Sequence, residues 1–214
     1  MALDVTATVL ADGVVAIVRL DDLSAAVPLA AALADGGVRA VEYTFTNRSA
    51  ARAIDAARSK LDGVALIGAG TVLDAETART AILAGAQFVV TPVVSLPVIE
   101  LCNRYGVPTV IGALTPTEIL AAWQAGADFV KVFPASAGGP RYLKDVRGPL
   151  PQVRLIPTGG VGPDNAAAFI KAGASALGVG GNLVDPALVA AADWETVRGR
   201  ARTLVDVVRT ARQR

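Results

Sequence analysis

A glycine followed within a few residues by a short unbroken apolar run, then by a polar turn and a helix-like stretch, recurs eight times along this chain of 214 residues. The glycines are Gly13, Gly37, Gly63, Gly85, Gly106, Gly126, Gly148 and Gly173, and the runs they introduce include VVAIV, VRAVEY, VALIGA, QFVV, VPTVIG, DFVKVF, VRLIP and ALGVG. Their spacing of about 23 residues is the length of one strand plus one helix. Several of them close a helical stretch, as in LAAALADGG or AAFIKAGA, where the backbone turn that ends a helix favours a residue without a Cβ. The runs do not alternate apolar with polar, and strands apolar on both faces belong to parallel sheets covered by helices. Eight such units predict an α/β fold, a single-domain (β/α)8 TIM barrel over residues 1–214. A short helix around Leu3 to Ala11 leads into it, and a helix across Trp194 to Arg212 closes it. An open doubly wound sheet is the competing arrangement, but it calls for a Gly-rich turn after the first strand, and here LDDLS follows VVAIVR.

A barrel needs a large core, and a composition 53% hydrophobic and 18% charged supplies one. Twenty Lys and Arg against nineteen Asp and Glu leave a formal charge of +1, too little for a broad field toward nucleic acid or an anionic membrane. The chain has no His and a single cysteine, Cys102. Internal disulfides, zinc fingers, His-ligated metals and Ser-His or Cys-His nucleophile pairs are thereby excluded. Proton transfer falls to Glu, Asp, Lys, Tyr or water, and no metal or cofactor is expected. The segment from Met1 to Asp12 lacks the ordered features of a secretory signal, and every apolar stretch is broken short of the roughly 18 residues of a membrane span. A cytoplasmic location is expected.

Chemistry in such a barrel gathers at the C-terminal ends of the strands, so polar residues that interrupt apolar runs there are informative. Of the four lysines, Lys60, Lys144 and Lys171 fall in helix-like segments, whereas Lys131 sits between Val130 and Val132 inside DFVKVF. It is either a buried ion-pair or snorkelling side chain, or an amine whose apolar setting lowers its pKa enough to attack a carbonyl. Glu42, inside VRAVEYTF, is the matching anomaly among carboxylates: a structural partner for an arginine, or a general acid-base near Lys131. IPTGGVGPDN and GVGGNLVDP place glycine-rich turns after the last two strands, Thr158, Gly159 and Gly160 in one and Gly180, Gly181 and Asn182 in the other. Their backbone N–H groups suit a phosphate, although glycines there also serve simple tight turns. Thr71 ends GAGT and either lines the mouth or caps the next helix; Pro92 ends VTP; Arg19 ends the first strand, as an anion ligand or a solvated surface cation. Cys102 reads as a small buried hydrophobe and Trp123 and Trp194 as packing residues.

Taken in order over almost the whole chain, VAIVR, GVRAVEYTF, LIGAGTVL, FVKVFPAS, PTGGV and GVGGNLV closely resemble the bacterial 2-keto-3-deoxy-6-phosphogluconate (KDPG) aldolase family, which includes 4-hydroxy-2-oxoglutarate (KHG) aldolases. The resemblance implies a class I aldolase on a (β/α)8 barrel, usually a homotrimer, acting on phosphorylated keto acids and pyruvate. Lys131 would form the Schiff base and Glu42 serve as acid-base. Thr71 and Pro92 would contact the pyruvate portion, Phe133 would line the pocket, and the two glycine turns would hold the distal phosphate. Two positions depart from the family pattern. Thr46 stands where many members have an arginine, the nearest here being Arg48, and Asn182 stands where serine is frequent, which retains hydrogen-bonding capacity. A galactonate-derived substrate, a phosphate-binding barrel isomerase or synthase, and a non-catalytic barrel with Lys131 and Glu42 as an ion pair are the rival readings.

Overall fold

Seven of the eight repeated glycines adopt the left-handed backbone that stops a helix, with φ from +66° to +99°, and so turn the chain into the next strand. Gly148 is the exception, at φ −54°, because the preceding helix runs into a proline-flanked turn instead. A computed structural model describes residues 3–213. Its elements in chain order are α1 (Val5–Asp12), β1 (Val14–Val18), α2 (Ala26–Asp35), β2 (Ala40–Thr44), α3 (Ala50–Leu61), β3 (Leu66–Gly70), α4 (Ala75–Leu83), β4 (Val89–Val90) and α5 (Leu96–Arg104). They continue with β5 (Thr109–Ala113), α6 (Pro116–Gln124), β6 (Phe129–Val132), α7 (Gly139–Arg147), β7 (Leu155–Pro157), α8 (Pro163–Lys171), β8 (Leu177–Val179), α9 (Pro186–Ala190) and α10 (Trp194–Arg212). The leading helix starts two residues later than the sequence suggests because the Asp4 side chain accepts the Ala7 N–H at 2.6 Å and fixes its start.

All eight strands are parallel, in the order β7-β6-β5-β4-β3-β2-β1-β8, and an isolated bridge between Thr158 and Gly178 joins the two ends. This is the (β/α)8 barrel, not the open sheet. Outward-facing residues such as Val14, Val41, Ile67, Ile111 and Val130 build one apolar shell with the helices. Inward-facing Val15, Ala40, Leu66, Phe88, Val110, Phe129, Ile156 and Ala176 build a second inside the barrel, where Val5 and Val9 of α1 plug its N-terminal end. Asp12 and Arg39 fasten that plug: the Arg39 guanidinium donates to both Asp12 carboxylate oxygens, at 2.6 to 3.2 Å. Large and small side chains compensate across the interior. A Cβ on Gly68 would sit 2.5 Å from the Phe88 ring, so the ring lies where a side chain of β3 would otherwise go.

Filled this way, the lower barrel tolerates no extra methyl group. Gly68→Ala is expected to destabilise the fold by about 1–3 kcal/mol, and adding Phe88→Leu should recover part of that loss. Urea unfolding of the three proteins checks it; a Gly68→Ala chain as stable as the parent would show that the ring has room to move.

Candidate active site

Above that packed layer the inward positions change character. β6 sends Val130 and Val132 outward into the helix-facing shell and Phe129 inward, which leaves Lys131 facing the barrel axis. β2 does the same with Glu42, flanked by outward Val41 and Tyr43, the latter held by its hydroxyl donating to Ala26 O at 2.7 Å. Lys131 is 4% exposed and Glu42 1%. Both line one small internal chamber with Val15, Ile17, Val90, Val110, Ile156, Thr158 and Gly178.

Neither group is neutralised by a direct partner. No salt bridge joins Lys131 to Glu42 among the described residues, and both Glu42 carboxylate oxygens are buried without a hydrogen bond. The reading of the two as a structural ion pair, or of Glu42 as the partner of an arginine, therefore fails. Burial pushes the Glu42 carboxyl above the usual carboxylate range, opposed by the Lys131 and Arg19 charges. Burial pulls the Lys131 amine below the usual lysine value, opposed by Glu42 and reinforced by Arg19. The two shifts run toward each other, so an amine and a carboxyl that burial pushes toward their neutral forms share one chamber. The Lys131 Nζ also lies 5.2 Å from the centroid of the Phe133 ring.

The chamber shares Ile17, Thr158 and Gly178 with a larger cavity of about 380 Å³ at the barrel mouth. Arg19, Phe133, Thr158, Gly159, Gly160, Gly180, Gly181 and Asn182 line that cavity, bringing both glycine turns to one place. Among the described residues, the N–H groups of Gly159, Gly160, Val161, Gly181 and Asn182 donate to no protein acceptor. Arg19 also lines a second cavity of about 540 Å³ with Thr46 and Arg48, where Thr46 Oγ1 lies 2.8 Å from Thr44 Oγ1. Arg19 and Arg48 are both exposed.

Thr71 and Pro92 line none of these three spaces. Thr71 does not cap α4; Asp74 does, accepting the Thr77 N–H at 2.7 Å. Thr71 instead holds φ +55°, a conformation costing a β-branched residue about 1–3 kcal/mol, and is strained beside Gly70 at the top of β3. Pro92 follows Thr91, a buried threonine that the sequence did not single out. Its hydroxyl accepts the Gly112 N–H at 3.0 Å and donates to Val93 O at 2.7 Å. A Cβ on Gly112 would fall 2.4 Å from Pro92 O, so only glycine admits that carbonyl there, and Gly112 is the sheet neighbour of Lys131. Gly70 plays the same part for Glu42, whose carboxyl carbon would lie 2.8 Å from a Cβ at that position. The signal for both was present as glycines at strand ends, but glycine spacing alone does not say which side chain fills the gap. Cys102 is buried and its thiol is pushed up to about 12, and Trp123 and Trp194 pack on the core as expected.

A sequence model of the KDPG and KHG aldolase family matches residues 5–199. The chain belongs to this family. It is 40% identical over 197 residues to the 2-dehydro-3-deoxy-phosphogluconate aldolase of Treponema pallidum (strain Nichols), covering 91% of this chain and 93% of that protein. A solved native KDPGal structure superposes with a TM-score of 0.87 at 34% identity, over 94% of this chain and 96% of the other. A KDPG aldolase from Legionella pneumophila, solved with pyruvate captured at low pH as a covalent carbinolamine intermediate, gives 0.87 at 26% identity, over 94% and 98%. Members of the family are aldolases, carbon–carbon lyases, and so the isomerase and non-catalytic readings fall away. Thr46 and Arg48 share the second cavity with Arg19, and the Asn182 amide is already engaged, its Nδ2 donating to Val161 O at 2.9 Å.

The coupling of the two buried groups gives a signed expectation. Since the Glu42 charge raises the lysine's pKa, Glu42→Gln should make Lys131 reactive at still lower pH. Competitive labelling of Lys131 with a small acylating reagent across pH 6–11 measures it, and an onset moved to higher pH would contradict the arrangement.

Proposed function

We propose that this aldolase cleaves 2-dehydro-3-deoxy-6-phosphogluconate to pyruvate and glyceraldehyde 3-phosphate through an imine on Lys131. The observation that carries the reading is the unpaired Lys131 and Glu42 facing one apolar chamber beneath a cup of free backbone N–H groups. Neutral Lys131 Nζ attacks the C2 ketone, and the resulting carbinolamine takes the Glu42 carboxyl proton on its hydroxyl and loses water to a protonated imine, leaving Glu42 as the carboxylate. That imine is an electron sink, so no metal ion is needed to polarise the carbonyl. Glu42 takes the C4 hydroxyl proton, the C3–C4 pair flows toward the imine nitrogen, and the aldehyde departs, leaving an enamine. Glu42 returns the proton to C3, and hydrolysis frees pyruvate and the lysine. A carboxyl raised by burial is suited to both halves of that exchange.

Phe133 walls the pyruvate portion. The pyruvate contacts that the family resemblance implies for Thr71 and Pro92 come from the ends of β3 and β4, outside the walls of the three cavities, and Arg19 with Arg48 supplies positive charge from the second cavity where the family's arginine is missing. The turns Thr158 to Gly160 and Gly180 to Asn182 receive the distal phosphate, whose binding energy positions the reacting carbon. KHG, and the galactonate-derived epimer of the phosphorylated acid, are the alternative substrates; Thr46 in place of arginine is the position that keeps them open. The aldolase acts in the cytoplasm as a homotrimer. Leu73, Leu83, Val93, Leu96 and Tyr105 support the assembly, all exposed and all on the neighbouring third and fourth units. No helix among the described residues is long and apolar enough to cross a membrane.

Borohydride in the presence of pyruvate should attach label to Lys131 and to none of Lys60, Lys144 or Lys171, with peptide mass mapping as the readout. Glu42→Gln should still be labelled after long incubation while turnover falls about 10²-fold or more; near-normal cleavage would remove Glu42 from the chemistry. Gly181 has open space around it, so Gly181→Ala obstructs only the ligand. It should raise KM for the phosphorylated acid while sparing KHG, and equal losses on both substrates would refute the phosphate assignment.

A further inference from the structure

Ladder pairing varies around the barrel and is sparsest at two junctions, between β3 and β4 and between β7 and β8. β2 and β3 share five register pairs and β5 and β6 four, whereas β3 and β4 share one, and β7 and β8 meet through the single bridge between Thr158 and Gly178, below which the Ser175 N–H donates to Leu155 O at 2.8 Å. Both glycine turns rise above the β7–β8 bridge, one from each side, and no ladder pair joins the turns themselves. Few of their own side chains can join them either, because most of their residues are glycines.

What crosses the seam is the Asn182 side chain. Its Nδ2 leaves the β8 turn and donates to Val161 O in the β7 turn at 2.9 Å. On the far side the same turn is held to its own helix by Asn165, whose Nδ2 donates to Gly160 O at 2.8 Å and whose Oδ1 accepts the Gly162 N–H at 3.0 Å. The carbonyls of Gly160 and Val161 are thus both occupied by asparagine amides. The path of the Asn182 side chain is open only because residue 162 is glycine: a Cβ there would lie 2.5 Å from Nδ2 and 3.1 Å from Cγ. The Gly162 backbone itself is extended, at φ −161°, and any residue can adopt it. The glycine serves the asparagine.

We infer that Asn182 is a positioning residue that staples the two anion-binding turns across the β7–β8 seam, with Gly162 as its required gap. Its contribution to phosphorylated substrate comes through the geometry of the turns and not through a contact of its own with the phosphate. This rests on the phosphate reading of the cup given above.

Kinetics of the full chain on phosphorylated acid and on KHG test the inference. Asn182→Ala should raise KM for the phosphorylated acid by roughly three- to tenfold, the worth of one such hydrogen bond, with kcat little changed and KHG cleavage unaffected. Asn182→Ser decides between the two roles. A serine hydroxyl beside the cup could still contact phosphate but is too short to reach Val161 O, so the staple predicts the same KM as Asn182→Ala. A parental KM in Asn182→Ser would overturn it. Gly162→Ala should reproduce the Asn182→Ala defect, since its methyl group evicts the amide, and the double variant Gly162→Ala, Asn182→Ala should be no worse than either single one. Multiplying effects in the double variant would also overturn the proposal. Failure of the cup itself is read separately: if Gly181→Ala loses activity equally on both substrates, the phosphate reading is at fault. If Gly181→Ala is selective while the Asn182 series is silent, only the staple falls.

Discussion

An amine and a carboxyl held inside an apolar barrel without touching each other set the terms for everything around them. Either group alone would carry a large desolvation penalty if charged, and a contact ion pair would reduce that penalty while removing both from chemistry. Here each is pushed toward its neutral form by burial and held back by the charge of the other. Maintaining that separation is a steric task. Gly70 leaves the space the Glu42 carboxyl fills, and Gly112, next to Lys131, leaves space for the Pro92 carbonyl. The glycines at the upper ends of these strands are molds for their neighbours, and the tightly filled lower layer, with Phe88 lying over Gly68, keeps the two strands from sliding.

The barrel was legible in the sequence because its signal is repeated: eight glycine stops, eight apolar runs and helices between them overdetermine a parallel closed sheet. Lys131 and Glu42 were legible for a different reason, since a charge inside an apolar run is costly and demands an account. The glycine turns could be placed at one mouth once the order of strands was assumed. Pairwise relations were harder to see. Thr91 shows no anomaly in VVTPV, yet its hydroxyl joins the β4 turn to β5. Thr71 left a helix-capping role open, which Asp74 fills, and its strained backbone is invisible in a string of letters. The hydrogen-bonding capacity of Asn182 can be read from the sequence, but the direction in which its amide points, toward Val161 O, cannot.

Thr46 illustrates the same limit at the second cavity. A residue-by-residue transfer of the family pattern loses its arginine there, but the fold folds the β1–α2 and β2–α3 loops against each other, with Asn47 Nδ2 donating to Leu20 O and Asp21 O at 3.0 and 2.8 Å. Arg19 and Arg48 thereby face one cavity from two different units. Two cations far apart in sequence thus reach one cavity, a juxtaposition that neither position announces by itself.

The single bridge between β7 and β8 makes their seam one of the two most sparsely paired in this ring of strands. An anion seated there would accept N–H groups from both sides and so act as the missing rungs of the ladder. Substrate would then be part of the barrel's closure as well as its cargo, bracing the sparse seam at which it enters.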